Sequence, residues 1–503
     1  MYGCQGNDTY IVDLVKSGIV ASFEDKIVEY ENEGTDLIRL RGEVALDAAT
    51  TLTLGSAIEN LDASLTGMSL LNLRGNASNN ILTGNNADNA LDGALGNDLM
   101  IGGRGNDVYT FYDAMDIARE YVDQGNDTVL IRYANASLQS VILDMNGANF
   151  AHIENMSVGN ASGLFDIIGS DVDNILTGNS AANNLFGGLG NDTLDGGSGN
   201  DMLDGGAGIN LLLGGTGHDI YIVNSADDIV QELVAGSVGG SDTVRSAISY
   251  VLGVNVEHLT LIGHDDLSGT GNALANTITG NDGANHLYGG AGIDKLYGGN
   301  GNDVYDVDIV TSAGVAKIED GIYENANEGI DTIHLHGATS AASATFNLSA
   351  NQENLDASDT GHAALILKGN ELDNRITGND GNNQLVGNDG NDILDGGLGS
   401  DMLTGGAGAD TYVLHDTGSV DHIYGFNAAE GDKLDLAGLF EDFDPLNDLL
   451  NNYFSTSTSG RDTQLSLDRD GAGTAFESTQ VAVIHNVSSV NLDDLLHNGQ
   501  IIV

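Results

Sequence analysis

Along most of this chain the hydrophobic residues keep one beat in nine, each set between polar residues and led by glycine. Units of the form G-G-x-G-x-(D/N)-x-hydrophobic-x start at Gly75, Gly84, Gly93 and Gly102, and at Gly169, Gly178, Gly187, Gly196, Gly205 and Gly214. A third run starts at Gly271, Gly280, Gly289 and Gly298, and a fourth at Gly369, Gly378, Gly387, Gly396 and Gly405. A truncated unit at Gly3 makes 20, and position eight is hydrophobic in all of them. One inward residue per nine predicts a turn and a short strand per unit, stacked as an all-β solenoid with two units to each 18-residue coil. A flexible glycine-rich linker has no cause to hold such a register.

Position six carries the chemistry. It is Asp in 11 units, at Asp8, Asp98, Asp107, Asp192, Asp201, Asp219, Asp294, Asp303, Asp392, Asp401 and Asp410. In the other nine it is Asn, at Asn80, Asn89, Asn174, Asn183, Asn210, Asn276, Asn285, Asn374 and Asn383. Wherever position six is Asp, position four is Gly; only three Asn units keep that Gly. Turns that aim carbonyls inward need backbone angles that Gly adopts cheaply, and a carboxylate with converging carbonyls suits Ca²⁺, which takes six to eight oxygens. Pairing position six at 18-residue spacing gives 11 candidate calcium slots. Two have Asp on both sides, Asp201 with Asp219 and Asp392 with Asp410. Asp201 has a partner on either side, whereas Asp98 has one, Asn80.

The formal charge is −58, from 16 basic and 74 acidic residues. Such a field repels nucleic acid and anionic lipid, so binding to either is not expected. With 71 Gly, no Trp and one Cys, a large aromatic core and an intrachain disulfide are both excluded. Stability must come from stacking and metal. Cys4 reads as an incidental free thiol. No apolar run is long enough to span a membrane, and no secretory signal opens the chain. Met1–Tyr10 reads as the close of a run, which leads to the expectation that the chain begins inside a larger architecture.

Run starts at 75, 169, 271 and 369 make the whole chain a repeat of about one hundred residues. Each run closes on Tyr at position eight: Tyr10, Tyr109, Tyr221, Tyr305 and Tyr412. These are read as caps whose rings cover the core while their phenol tips reach solvent. The intervening segments share landmarks, Asp36, Asp127, Asp242 and Asp331, then Glu59, Glu154, Glu257 and Glu353 about 20 residues on. The alternation in Asp331–His336 has strand period, so these segments are predicted to continue the solenoid. Helical period appears only at Leu434–Leu450. His334 and His336 share a strand face, but with no third ligand in view they read as solvated strand residues.

G-G-L-G-N-D-T-L-D at 187–195 and G-G-S-G-N-D-M-L-D at 196–204 resemble the RTX repeats of bacterial proteins exported by type I secretion. The resemblance implies a parallel β-roll with Ca²⁺ between turns. Asp421–Phe426 followed by Gly431–Leu436 resembles the segment that closes RTX modules, and the tail from Val490 is similar to an uncleaved type I secretion signal. The organisation expected is a first segment 1–110 with its run at 75–110, then 111–222 with 169–222, 223–306 with 271–306, and 307–413 with 369–413. A small cap and secretion signal follow at 414–503. No H-E-x-x-H or G-x-S-x-G is present. The leading reading is a non-catalytic, calcium-folded module, secreted to the surface of a Gram-negative bacterium as the C-terminal part of a large adhesin. The type I machinery would be a partner, and a surface or carbohydrate ligand a further one. The alternatives are the accessory region of a secreted enzyme and a self-assembling surface-layer protein.

Overall fold

A strand of three residues between two glycine turns is too short to stand alone, so everything here depends on how such strands stack. The computed structural model describes the whole chain except residues 19, 24, 32, 123, 313–314, 338–343, 416, 440–449 and 470–476. It has two compact units, residues 1–248 with 253–258, and residues 249–252 with 259–503. Each is a parallel β-solenoid. The α-helices among the described residues are Leu450–Tyr453 and Leu492–His497.

In the first unit a sheet of ten parallel strands runs from Thr50–Thr53 to Ile229–Gln231. Facing strands alternate with it along the chain. They form one sheet from Thr9–Ser17 to Ile117–Arg119 and another that starts at Val141–Asp144 and includes Thr243–Ser246. Within the runs the register steps by 18 residues, as in Leu185 opposite Leu203 and Leu194 opposite Leu212. Position eight points inward from both sides. Nineteen of the 20 residues there are fully buried and Tyr10 is 4% exposed. Burying one such Leu stabilises by about 1.5–3 kcal/mol, so the coil rows, though narrow, add up along the stack.

The segments between runs continue the same sheets. Thr128–Ile131 lies parallel between Val108–Phe111 and Asn155–Ser157. In the second unit Thr332–His336 lies between Val304–Ser312 and Asn354–Asp356, with Ile333 and Leu335 inward. The nonapeptide spacing ends at Tyr412, yet stacking does not. Thr411–Val413 pairs in parallel with Lys433–Asp435, and that strand with Ile501–Ile502. The other sheet passes from Asp421–Tyr424 to Thr479–Ile484, then finishes with antiparallel Asp462–Leu467 and Phe454–Ser459. Of the predicted helical stretch Leu434–Leu450, the start is strand and a 3-10 turn at Ala437–Leu439, and 440–449 lies outside the described residues.

Candidate metal centre

Two turn chemistries divide the repeats. In the leading Asn units the side chain at position two folds back on its own turn: Ser78, Ala87 and Ala181 N–H donate to Asn76, Asn85 and Asn179 Oδ1 at 2.9, 2.9 and 2.8 Å. The position-six Asn adds a second closure, accepting the position-two N–H. The distance is 2.7 Å at Asn80, Asn89, Asn276, Asn285 and Asn374, 2.6 Å at Asn174 and 2.8 Å at Asn183. Several of these amides then donate to a carbonyl in the preceding coil, Asn80 to Glu59 at 2.8 Å and Asn174 to Glu154 at 2.7 Å. Such a turn satisfies itself, as Asn turns do, and needs no unusual angle at position four. Gly283 and Gly381, at that position in Asn units, stay outside the left-handed region.

The Asp units are built otherwise. Position four is Gly with φ of 112° at Gly190 and 123° at Gly199, a conformation other residues rarely take. Asp Oδ1 accepts the N–H of the position-six residue 18 positions earlier. All 11 pairs at that spacing are joined in this way, from Asn80 with Asp98 (2.7 Å) to Asp201 with Asp219 (2.8 Å) and Asp392 with Asp410 (3.0 Å); Asp192 with Asn210 uses the amide oxygen (2.9 Å). The second oxygen is different. Oδ2 of Asp98, Asp107, Asp192, Asp201, Asp219, Asp294, Asp303, Asp392, Asp401 and Asp410 is buried with no hydrogen-bond partner. A methyl group built on Gly187 would collide with Asp192 Oδ2 and the Gly205 carbonyl oxygen, and one on Gly387 with Asp392 Oδ2 and the Gly405 carbonyl. Glycine thus keeps open a cradle into which a carboxylate and a carbonyl of the next coil converge. That donor set fits Ca²⁺.

Burial disfavours the ionised form of these carboxylates. It pushes Asp98, Asp107, Asp201, Asp303 and Asp392 up to about 7, Asp192, Asp219, Asp294 and Asp410 to about 6, and Asp401 to about 8. A bound divalent cation would remove the penalty and restore the charge. Two Asn positions depart from the expected ligand set. Asn210 donates its amide to Asp228 Oδ1 at 3.0 Å where an Asp would leave Oδ2 open, and Asn383 turns its amide nitrogen toward the Gly396 and Gly381 carbonyls. Neither presents a side-chain oxygen to the cradle.

The column does not stop where the runs stop. Asp98 N–H donates to Asp116 Oδ1 at 3.0 Å, so Asp98 has two neighbours, not the single one expected. Asp107 continues to Asp127 and then Glu154, Asp219 to Asp242 and Glu257, and Asp303 to Asp331 and Glu353, at 2.7–2.9 Å. The inter-run landmarks are therefore rungs of the same column. Their recurrence was the signal, but spacings of 15 to 28 residues hid their kinship to an 18-residue coil.

At each of four run ends a Glu joins the column and makes a three-carboxylate group: Asp8, Glu29 and Asp36; Asp107, Glu120 and Asp127; Asp219, Glu232 and Asp242; Asp303, Glu324 and Asp331. At three of these ends the closing tyrosine bonds the Glu. Tyr221 donates to Glu232 at 2.8 Å, and Tyr10 and Tyr109 bond Glu29 and Glu120. This corrects the expectation of solvent-reaching phenol tips: Tyr109, Tyr221, Tyr305 and Tyr412 are fully buried, and at Tyr109, Tyr221 and Tyr412 an internal acceptor replaces water. Glu120 Oε2 and both oxygens of Glu324 are buried without partners, and burial followed by the neighbouring aspartates pushes both residues up to about 8. At Tyr412 no Glu among the described residues takes part; its hydroxyl accepts from Gly405 N–H at 3.1 Å and donates to the Tyr424 carbonyl at 3.3 Å.

Comparison with known proteins bears on the repeats. The family model for the RTX calcium-binding nonapeptide repeat (4 copies) matches residues 74–109, 168–203, 195–230, 270–305, 369–403 and 377–412. No curated protein matches the chain. Among solved structures, the extracellular lipase LipA from Serratia marcescens is similar at 17% identity with a TM-score of 0.20, over 75% of this chain and 45% of that one. The chain thus spans less than half of that lipase.

Proposed function

Because the chain is an RTX calcium-binding nonapeptide-repeat protein, we propose that it serves as a non-catalytic module that calcium folds outside the cell. It is read as the C-terminal part of a large adhesin or surface protein of a Gram-negative bacterium, exported by a type I machinery. The observation that carries the reading is the column of ten orphaned aspartate oxygens. In the unfolded chain each is hydrated; in the folded chain without metal each is a buried acceptor with nothing to accept, at about 1–3 kcal/mol apiece. Ten such sites outweigh the net stability of an ordinary domain, about 5–15 kcal/mol. At cytosolic calcium the chain stays open for export, and at extracellular calcium it closes. With free Ca²⁺ a hundredfold above Kd, each independent site adds about 2.7 kcal/mol.

The ten aspartates are the principal ligands, with Asn80, Asn89, Asn174, Asn183, Asn276, Asn285 and Asn374 offering a neutral amide oxygen. The Glu-bearing run ends are further calcium positions. The five segments closing at 110, 222, 306, 413 and 503 are successive folding blocks. No helix among the described residues is long and apolar enough to cross a membrane. Circular dichroism tests the reading: strand signal should appear on adding millimolar Ca²⁺ and vanish in excess chelator. A strand signal indifferent to chelation would rule it out.

A further inference from the structure

On the outer face of the second unit the strands gather a histidine cluster that no linear spacing announces. The parallel register sets Asp306 opposite His334 and Asp308 opposite His336, with His286 on the strand before. Asp306 is the hub. Its Oδ1 lies 3.0 Å from His334 Nδ1 and 2.9 Å from His336 Nε2, and its Oδ2 meets His286 Nε2. Ligand atoms of Asp306, His334 and His336 all lie within 4.8 Å of one another. Of the three-ligand groups among the described residues, this is the one that contains histidine.

We propose that Asp306, His334 and His336, with His286 as a fourth donor, form a zinc-class transition-metal site separate from the calcium column. The donor set decides the class: imidazole nitrogens suit zinc, copper, nickel and cobalt, whereas Ca²⁺ takes oxygens. Tetrahedral coordination at about 2.0–2.1 Å sets ligand atoms about 3.3 Å apart. The contacts of 2.9 and 3.0 Å around Asp306 need open only by tenths of an ångström, a side-chain adjustment. The outer arrangement matches as well. Each ring turns its other nitrogen to one more carboxylate: Asp359 Oδ2 is 3.5 Å from His334 Nε2 and 3.9 Å from His336 Nδ1. A carboxylate on the far side of both rings lends them electrostatic support, and a small side-chain movement would bring it to hydrogen-bond distance, the usual support of a metal-bound histidine. The His334 and His336 side chains are 23% and 31% exposed, open enough for an ion to enter.

The test uses the full chain in saturating Ca²⁺ near neutral pH, titrated calorimetrically with ZnCl₂ and, in parallel, with Co²⁺ followed by visible absorption. One Zn²⁺ should bind more tightly than any other, and Co²⁺ should give the intense bands of a four-coordinate nitrogen-ligated ion. His334→Ala/His336→Ala and Asp306→Asn should each weaken that event at least tenfold while the calcium midpoint of folding stays put. Asp359→Asn, at an exposed position, should weaken it less and without any risk to the fold. His264→Ala, which removes an exposed ring beside Asp282, should change nothing. If the double variant and the Asp359 variant bind Zn²⁺ like the parent, or if the parent binds none, the cluster is a hydrogen-bonded Asp–His network and the proposal falls.

Discussion

The backbone N–H of Asp107 donates to Asp127 Oδ1 at 2.7 Å across 20 residues, although the nine-residue register has ended before Asp127 is reached. The carboxylate column is thus defined by coil stacking and not by the repeat motif. Asp127→Ala should therefore damage calcium-induced folding as Asp107→Ala does, by about 1.5–3 kcal/mol at saturating Ca²⁺ for a lost bond to a charged group. Urea titration at fixed calcium would measure both. A silent Asp127→Ala would confine the column to the repeats.

By the same logic Asp98→Ala and Asp201→Ala should raise the calcium midpoint by similar factors, since each residue stands between two neighbours, Asn80 and Asp116 for one, Asn183 and Asp219 for the other. Midpoints read by circular dichroism would decide. A much larger effect at Asp201 would restore the simple count of motif-only slots.

The two turn chemistries should separate under mutation. Asn85 donates its amide to Thr66 Oγ1 and the Ser69 carbonyl at 2.9 and 2.8 Å, so Asn85→Ala should lower stability by about 1–3 kcal/mol without changing the number of ions bound. Asp192→Asn should lower the number bound. Equilibrium dialysis with calcium alongside denaturation distinguishes the two; loss of calcium in Asn85→Ala would show that position two of an Asn turn also holds metal.

Protons and calcium should compete for the column. Burial raises the column carboxylates to about 6–8 in the folded chain, above an unfolded value near 3.8. The folded form without metal therefore binds more protons, and this contribution to stability is complete below about pH 4 and lost as pH rises through 6 to 8. Metal-free protein should be better folded at pH 5 than at pH 8, and calcium binding near pH 6.5 should release protons. Calorimetry in buffers of different ionisation enthalpy would detect the release; buffer-independent heats would contradict it.

Deleting residues 414–503 removes Asp421 and Asp432, which accept the N–H groups of Asp401 and Asp410 at 3.0 Å. It also removes the strand Lys433–Asp435 from its place against Thr411–Val413. The truncated chain should need several-fold more Ca²⁺ to fold, and should no longer leave the cell through a type I exporter. Secretion assays and calcium titration read the two effects apart.

The all-β solenoid, the 18-residue coil, the inward position eight and the ten aspartates were legible in the chain, because a motif repeated at fixed spacing meets the same surroundings each time. Leu185 and Leu203, for instance, had to lie on one another once two units made a coil. What tertiary structure alone decided lies where the spacing varies. Asp116, Asp127 and Glu120 enter the column only because inter-run segments of unequal length return to the same sheet edge. Three of the closing tyrosines find their acceptor for the same reason: the Glu that receives them arrives 11 residues later at Tyr109 and Tyr221, and 19 at Tyr10. His334 found its third donor in Asp306, 28 residues away, through strand pairing. Local pattern determines what a residue does to its own turn; which residues meet across coils depends on how much chain each coil takes up, and that is settled only when the coils stack.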